Sequence, residues 1–395
     1  MKLDEITKPK ILVVSRTFYP KEGGIEEYVY NRCLQDPDQI IVLSASVPGD
    51  RIFDETQAFP VYRWQVPSWM YKNALTTLLR QILYIISSII YALKLYRRYG
   101  YTSLEWGHGY DFPALLVLTY LLPIPTVMYL HGNDLLCPLK NPLFKFLFQQ
   151  TLSRVGCVVC NSSYTRDCLV NQFYCDRNII INPSIRPEKF GSFPLDRQIE
   201  LRKTTRQRYQ IPDDAIVLLS VGRLVKRKGF DRVISHLPYL IENNVNAHYL
   251  ICGRGSMEAE LRSQAEALGV ADRVHFSGFV PDRELGHYYS ASDLFVLLTF
   301  FSEAEASIEG FGIVYLEAAY FGKPILATRV GGVVDAVQDN INGILTDPHA
   351  SIEEVSTILL TLCQNREMRE IMGRNGKEHT KNSVLHRIIY EKSIL

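Results

Sequence analysis

The sequence lacks several features that would assign it to a common class of protein. Its first residues, "MKLDEITKPKILVV", mix charges and lead directly into an apolar run, so they lack the uninterrupted apolar region of a signal peptide. Basic residues number 43 and acidic residues 42, which gives a formal net charge of +1. This balance argues against a general nucleic-acid binder. We therefore expect a cytoplasmic protein with no nucleic-acid partner.

The sequence also lacks the motifs of two common ligand sites. It has no apolar-flanked D-x-D metal motif, and its close cysteine pair, Cys157 and Cys160, has no second pair at zinc spacing. An apolar strand would send these two thiols to opposite faces, so we expect reduced, mostly buried cysteines. An NAD-linked oxidoreductase would need a G-x-G-x-x-G fingerprint, which is absent. We expect neither a metal nor a cofactor.

The longest apolar segment is "LLRQILYIISSIIYALKLYRR", in which the uncharged run is shorter than the ~20 residues that span a bilayer core. Its apolar residues follow the spacing of an amphipathic helix, which favours packing on a sheet. The basic end "KLYRR" and the later "LKNPLFKFLFQQ" leave a peripheral contact with the inner membrane surface as the alternative. The helical stripe consists of Leu79, Ile82, Leu83, Ile86, Ile89, Ile90 and Leu93.

Short apolar runs alternate with helix-like stretches, and this series occurs twice along the 395 residues. Such alternation is typical of parallel sheets covered by helices. We therefore predict an α/β fold with two Rossmann-like domains, over residues 1–195 and 196–379, and a C-terminal helix at 380–395 that joins the first domain. Ligands in such folds lie beyond the carboxyl ends of the strands.

Two segments directly follow strands of the first domain. "RTFYPKEGGIEEYV" places Gly23 and Gly24 before a helix that begins near Ile25. Backbone amides there could approach a phosphate, and an ordinary turn is the alternative. "HGNDL" places His131 and Asp134 after another strand. This histidine could donate to a sugar hydroxyl or transfer a proton, and a structural histidine is again the alternative.

The first strand of the second domain is followed by a basic segment, "VGRLVKRKGFDRVI". Arg223 and Lys228 lie near the strand end, where two fixed cations would neutralise a diphosphate. We interpret Lys226 and Arg227 as solvated neighbours.

Two further strand ends of the second domain carry weaker signals. Gly253 begins a glycine turn in "ICGRGSMEAEL", before a helix. Phe279 and Val280 follow "FSG", where their backbone groups could pair with the edge of a base.

The stretch "SIEGFGIVYLEA" places Glu309 and Glu317 among glycine and apolar residues. Gly310 and Gly312 are poor helix residues, so we expect a helix to begin near Gly312, with Glu309 in the preceding loop and Glu317 inside the helix. Such a helix start is suited to an anion in a cleft. A solvated glutamate pair flanking a core helix is the alternative.

Together, these motifs resemble the retaining GT-B glycosyltransferases of the large sucrose-synthase-like family. The resemblance covers nearly the whole chain and rests on the "GG" turn, on "GRLVKRKG" and on the E-x7-E pair. "EGFGIVYLEA", with "HGND" and "FYPKEGGIEEY", is most similar to the branch of bacterial phosphatidylinositol mannoside mannosyltransferases and exopolysaccharide hexosyltransferases. The resemblance implies a GT-B fold, in which two Rossmann-like domains face a deep interdomain cleft.

The resemblance also implies a role for each candidate residue. Glu317 would bind the ribose hydroxyls of the donor, and Glu309 would bind the donor sugar. Arg223 and Lys228 would hold the diphosphate as catalytic cations, Gly24 would contact it by its backbone amide, and His131 would touch the sugar's outer hydroxyl. Further donor contacts are expected at Gly23, Gly222, Gly253, Phe279, Val280, Gly310, Phe311, Gly312, Ile313 and Val314.

The implied reaction is a metal-independent, retaining transfer of a hexose in cell-surface polysaccharide or glycolipid synthesis. The hexose, glucose or mannose, would pass from a UDP- or GDP-sugar to a saccharide or lipid-linked acceptor. In the front-face mechanism proposed for this family, the departing phosphate accepts the acceptor's proton, and the protein supplies positioning and electrostatics. A GT-B nucleotide-sugar epimerase and a noncatalytic nucleotide-sugar sensor are the alternatives.

Overall fold

A computed structural model describes residues 10–71, 74–191, 194–301 and 307–382 of the chain. They form two compact units that divide between Pro183 and Ser184. Each unit contains one parallel sheet with helices packed against it, which confirms the predicted α/β fold with two Rossmann-like domains. Most of the segment 380–395, which was predicted to return to the first domain, lies outside the described residues.

The first unit is built on seven strands. They are β1 (Ile11–Ser15), β2 (Ile40–Ala45), β3 (Val61–Trp64), β4 (Ser103–Trp106), β5 (Thr126–Leu130), β6 (Cys157–Cys160) and β7 (Asn178–Ile180). The order across the sheet is β3-β2-β1-β4-β5-β6-β7, and all paired strands are parallel. The strand order reverses between β1 and β4, so a ligand crevice is expected beyond their carboxyl ends.

The helices of the first unit connect these strands. They are α1 (Gly24–Cys33), α2 (Asp50–Glu55), α3 (Ala74–Tyr99), α4 (Phe112–Leu121), α5 (Asn133–Leu139), α6 (Pro142–Arg154) and α7 (Ser163–Gln172). Short 3-10 turns cover Pro37–Gln39 and Ser68–Tyr71. Helix α6 begins after Asn141, whose side chain accepts from the backbone N–H of Leu143 at 2.8 Å. Helix α7 begins in the same way after Ser162.

The second unit repeats this plan with six strands. They are β8 (Ile216–Val221), β9 (Ala247–Cys252), β10 (Val274–Gly278), β11 (Leu294–Leu297), β12 (Ile325–Thr328) and β13 (Gly343–Thr346). The order is β10-β9-β8-β11-β12-β13, so the reversal falls between β8 and β11. The candidate residues that follow β8, β9, β10 and β11 therefore lie along one edge of one sheet.

The helices of the second unit include the one that carries Glu317. They are α8 (Leu195–Arg208), α9 (Phe230–Glu242), α10 (Glu258–Ala267), α11 (Asp282–Ala291), α12 (Ile313–Tyr320), α13 (Val333–Ala336), α14 (Ile352–Gln364) and α15 (Arg366–Asn382). Three 3-10 turns cover Pro187–Phe190, Lys226–Lys228 and Ala271–Arg273.

Helix α3 turns only part of the predicted apolar stripe toward the core. Ile82, Ile86 and Ile90 are 45%, 49% and 44% exposed, so the core role predicted for them is wrong, whereas Ile89 and Leu93 of the same stripe pack against the core. The face that packs inward instead carries Tyr84, Ser88, Ala92 and Leu95. The exposed face is itself rich in apolar residues, so the spacing alone could not show which side of the helix packs inward.

By length and composition, α3 is also apolar enough to cross a bilayer, which by itself says little because core helices of soluble proteins pass the same test. Only 28% of its most apolar window is buried.

Candidate functional site

The stretch "SIEGFGIVYLEA" adopts the predicted loop and helix. Glu309 lies in the loop, and α12 begins after Gly312, whose φ of 89° lies in the left-handed region. A side chain at Gly312 would collide with the ring of Tyr315. The carbonyl of Glu309 accepts from the N–H of Gly332 at 2.9 Å, which ties this loop to the turn after β12. Glu309 is thereby fixed at the carboxyl edge of the second sheet.

Glu309 shares its carboxylate with two cations. Its Oε2 accepts a short hydrogen bond from Lys228 Nζ and lies 3.3 Å from Arg227 Nη1. The three side chains are only 7% to 12% exposed. The interpretation of Arg227 as a solvated residue is therefore wrong, because the tight turn before Gly229 directs both neighbouring side chains at one carboxylate. Lys226 is exposed, as predicted, and pairs with Asp231 at the surface.

The charges of this cluster do not balance. Burial raises the pKa of Glu309, but Lys228 and Arg227 outweigh burial and hold that pKa below its usual value. Burial lowers the pKa of Lys228, Glu309 opposes this change, and Arg227 and Arg223 add to it. Arg223 is exposed and has no ion-pair partner among the described residues. Two cations thus contact one carboxylate, and Arg223 adds a third positive charge near Lys228, a surplus suited to a diphosphate.

Glu317 lies inside α12 and is also paired. Its Oε1 is 2.6 Å from Lys189 Nζ, and its Oε2 accepts from the hydroxyl of Tyr289 at 2.7 Å. The side chains of Lys189 and Glu317 are 5% and 4% exposed. Neither partner could be predicted from the sequence, because they lie 128 and 28 residues from Glu317 and no spacing connects them.

The glycine turns after β8 and β9 lie against each other. A side chain at Gly253, whose φ is 149°, would collide with the carbonyl of Gly222. Gly253 therefore permits a close approach of two strand ends, whatever it binds. Phe279 and Val280 follow the next strand, β10, and are 51% and 8% exposed. No described residue hydrogen-bonds their backbone groups, which leaves that edge available to a ligand.

The start of α12 offers backbone rather than side-chain donors. Phe311 is buried in the core of the second unit, whereas Gly310, Ile313 and Val314 are partly exposed. The first turn carries no acidic residue, and no side chain in the described part of the chain caps the helix. The first N–H groups of a helix have no partner within it, so this end can receive an anion beside Lys228.

Helix α1 of the first unit begins at Gly24, close to the predicted start. The Glu26 carboxylate folds back against Gly23 and lies 2.9 Å from Lys21 Nζ. Burial raises the pKa of Glu26, but Lys21 and a hydrogen bond from Thr17 outweigh burial. The pKa therefore lies below its usual value, and the carboxylate is charged. A phosphate at the Gly24 amide would therefore lie beside a negative charge.

His131 and Asp134 follow β5. Asp134 is fully buried and accepts from the N–H groups of His131 and Gly109 at 2.9 and 2.8 Å, so it ties together the loops after β5 and β4. His131 Nε2 lies 2.9 Å from the carbonyl of Gly107, which makes Nε2 the protonated nitrogen. In the neutral form of the ring Nδ1 is then an acceptor, and no described residue bonds it. His131 can accept from a ligand hydroxyl through this atom.

The sequence analysis missed a polar cluster at the reversal point of the first sheet. Arg16 follows β1, and His108 and Asp111 follow β4. The Arg16 guanidinium donates to Asp111 through Nε at 3.0 Å and through Nη2, and its backbone N–H donates to His108 Nε2 at 2.7 Å. Burial and Arg16 lower the pKa of His108 well below its usual value, so this imidazole is neutral. The adjacency of β1 and β4 was the signal that could have found this cluster.

The cysteines are free thiols, as predicted, and Cys157 and Cys160 are both buried in β6. Within the described ranges, no group of three or more His, Cys, Asp or Glu side chains is arranged to hold a metal ion.

Two parallel α/β units with polar side chains at the carboxyl ends of their strands are the architecture of the GT-B glycosyltransferases. Residues 22–189 match the family model described as Glycosyltransferase Family 4, and residues 202–379 match Glycosyl transferases group 1. The chain belongs to the GT-B glycosyltransferases, and the resemblance drawn from its motifs is confirmed.

Relatives match over nearly the whole length. The chain is 26% identical over 383 residues to the GDP-mannose-dependent alpha-(1-6)-phosphatidylinositol monomannoside mannosyltransferase of Mycobacterium tuberculosis, and the match covers 93% of each chain. It is 32% identical over 187 residues to the D-inositol 3-phosphate glycosyltransferase of Thermobifida fusca, covering 45% of this chain and 41% of the relative.

Solved structures share the fold. HepE of Anabaena, determined in complex with UDP and glucose, superposes with a TM-score of 0.75 at 20% identity over 95% of both chains. Sucrose-phosphate synthase of Thermosynechococcus elongatus superposes with a TM-score of 0.76 at 18% identity over 95% of this chain and 94% of that chain. At these identities, the likeness shows the fold.

Proposed function

We propose that this glycosyltransferase moves a hexose from a UDP- or GDP-sugar to a lipid-linked or saccharide acceptor, with retention of the anomeric configuration. The observation that carries the proposal is the surplus of positive charge around Glu309. Lys228, Arg227 and the unpaired Arg223 lie at one sheet edge, beside the uncapped start of α12. A diphosphate supplies the negative charge that this cluster lacks.

The two glutamates would then bind opposite ends of the donor. Glu317 is held by Lys189 and Tyr289, and each carboxylate oxygen keeps a lone pair that a ribose hydroxyl can use. Once the diphosphate binds Lys228 in place of Glu309, the Glu309 carboxylate would accept a hydrogen bond from a hydroxyl of the hexose. The backbone of Phe279 and Val280, free among the described residues, would meet the base.

Transfer would need no protein nucleophile. The bond between the anomeric carbon and the diphosphate oxygen breaks, and the acceptor hydroxyl oxygen attacks from the same face. The departing phosphate oxygen takes the hydroxyl's proton. Lys228 and Arg223 would stabilise the charge that develops on the leaving diphosphate, the largest contribution expected from fixed cations. Metal independence is part of this proposal because the cations perform the neutralisation.

The first unit offers a surface for a lipid-linked acceptor. Exposed apolar side chains of α3 and α6 include Leu78, Ile82, Leu143 and Phe146, at 54%, 45%, 61% and 58% exposure. Basic residues occur on the same helices, with Arg97 and Arg98 in the last turn of α3. Apolar side chains with neighbouring cations suit the surface of an anionic membrane. The chain would therefore act as a peripheral protein on the inner face of the membrane.

Sedimentation with vesicles tests this surface. The double variant Ile82→Gln and Ile86→Gln should lose most binding to phosphatidylglycerol vesicles, whereas Ile52→Gln, at a 76% exposed position of α2, should not. Equal binding by both proteins would contradict the membrane contact.

Ligand-induced stabilisation followed by product analysis tests the donor site. UDP, GDP and their glucose and mannose derivatives are screened for a rise in the melting temperature, because a ligand that binds only the folded state must raise it. The stabilising sugar nucleotide, radiolabelled in its hexose, is then incubated with and without an acceptor. The proposal predicts label in the acceptor. An altered donor sugar without transfer would indicate an epimerase, and an unchanged donor would indicate a sensor.

A further inference from the structure

The guanidinium of Arg16 is bonded to Asp111 along one side only. Its Nε and Nη2 both donate to Asp111, whereas Nη1 has no hydrogen-bond partner among the described residues. The Arg16 side chain is 22% exposed and that of Asp111 only 5%. A pair bonded through Nε and Nη2 leaves Nη1 on the far side, with two N–H donors. The free donors therefore lie on the more exposed member of a buried pair.

Tyrosine rings lie beside the same guanidinium. The Arg16 Cζ is 5.1 Å from the ring centroid of Tyr84 and 5.3 Å from that of Tyr110. Tyr84 is buried, whereas Tyr110 is partly exposed. The ring of the neutral His108 lies 5.7 Å from that of Tyr110. The cluster thus combines fixed donors with a partly exposed aromatic ring.

The charge of this cluster is balanced, unlike that around Glu309. Asp111 offsets Arg16, and the neighbouring Glu26 is paired with Lys21. A phosphate would find no surplus of positive charge here. The hydroxyls of a sugar or cyclic polyol both donate and accept hydrogen bonds. They can therefore accept a hydrogen bond from Arg16 Nη1 and donate one to a carboxylate. The apolar C–H face of a sugar or cyclic polyol can pack on an aromatic ring.

The cluster lies beside helix α3, whose exposed apolar side chains belong to the proposed membrane surface. Tyr84 belongs to α3, and Ile82 and Ile86 lie on the exposed side of the same helix. The cluster therefore lies where α3 meets the carboxyl ends of β1 and β4.

We propose that Arg16, Asp111 and Tyr110 form the subsite that binds the hydroxyls of the acceptor's sugar or cyclic polyol ring. This inference rests on the proposed function, because it names the acceptor group for that reaction. It assigns recognition to neutral hydroxyls rather than to a phosphate.

Saturation-transfer NMR on the full chain tests the subsite without turnover. The NMR probes are methyl α-D-mannopyranoside and myo-inositol, and inorganic phosphate, which has no carbon-bound protons, is titrated by calorimetry. Arg16→Lys keeps the charge opposite Asp111 but loses the second set of donors, and Tyr110→Leu removes the ring. Arg16→Lys should bind the polyol probe about tenfold more weakly, the effect of losing one hydrogen bond to a charged group. Tyr110→Leu should also bind the probe more weakly, because the aromatic face is lost. Arg154→Lys, another arginine stacked on a tyrosine of the first unit, is the matched control and should bind as the wild type does.

Wild-type affinity in both Arg16→Lys and Tyr110→Leu would overturn the subsite, and so would binding of phosphate without binding of either polyol. Thermal melts identify a variant that fails to fold, in which case the other variant decides. Kinetics separate this inference from the proposed function. Arg16→Lys should raise the acceptor KM about tenfold and leave the donor KM unchanged. No transfer by the wild type would defeat the proposed function alone, whereas transfer with an unchanged acceptor KM would defeat the subsite alone.

Discussion

Replacing Glu309 by glutamine should separate nucleotide binding from transfer. In the free protein, its carboxylate accepts a hydrogen bond from Lys228 and lies 3.3 Å from Arg227. It therefore neutralises part of the positive charge that would otherwise attract a diphosphate. Glutamine keeps the size of the side chain but removes the negative charge. We therefore expect Glu309→Gln to bind bare UDP or GDP more tightly than the wild type and to transfer hexose more slowly.

Coulomb's law gives the scale of the binding effect. A carboxylate about 6 Å from a phosphate charge repels it by roughly 2.8 kcal/mol at an effective dielectric constant of about 20. Two effects reduce this figure: solvent and salt screen the charges, and Lys228, whose pKa burial already lowers, loses its balancing carboxylate. A net gain of about 1 kcal/mol, or roughly fivefold in affinity, is the expected result. Turnover should fall by about two orders of magnitude, because a contact to the transition state is lost.

Isothermal titration with bare nucleotide, at low and high salt, measures the first quantity, and steady-state kinetics measure the second. Glu317→Gln is the comparison, because Glu317 should contact ribose and its loss should weaken the bare nucleotide by ~1.5 to 3 kcal/mol. If Glu309→Gln weakens nucleotide binding as much as Glu317→Gln does, the two carboxylates do not bind different parts of the donor as proposed. If its turnover is normal, Glu309 is not a sugar contact.

Other outcomes follow from the same contacts. Lys228→Ala should lower turnover by roughly two to three orders of magnitude, whereas Lys226→Ala, at an exposed neighbouring position, should not; steady-state kinetics of both decide. Turnover should persist in excess EDTA, and complete loss that magnesium or manganese restores would contradict the role given to the cations. Burial and Arg232 lower the pKa of His236 to about 4. Between pH 6.5 and pH 4, His236 is therefore protonated in the unfolded chain but neutral in the folded chain. Stability should therefore decline as the pH falls from 6.5 toward 4, and urea unfolding should show a shallower decline in His236→Gln.

The part of the site that local sequence determines was predictable. Gly312 favours a helix start, and the helix that follows carries Glu317 as expected. The strand pattern also placed Lys228 at a sheet edge, because carboxyl ends of parallel strands share one edge. These features depend on a few neighbouring residues and on general rules of parallel sheets.

The partners of the charged residues were not predictable, because distant segments supply them. Lys189 reaches Glu317 from a 3-10 turn 128 residues away, and packing alone brings them together. The inward face of α3 was misassigned for a different reason: apolar residues occur on both sides of the helix, so periodicity did not indicate that Tyr84 would pack beside Arg16.

The central claim is that the cations around Glu309 support transfer of a hexose from a nucleotide sugar. The most direct test gives the wild type and Lys228→Ala a GDP-mannose or UDP-glucose labelled at the anomeric carbon, with phosphatidylinositol, its monomannoside and methyl glycosides as acceptors, and follows the label by NMR. We expect the wild type to convert one donor into an α-linked glycoside, and a folded Lys228→Ala protein to do so at least about a hundredfold more slowly. A β-linked product, the absence of any glycoside, or an unchanged rate in Lys228→Ala would contradict the account.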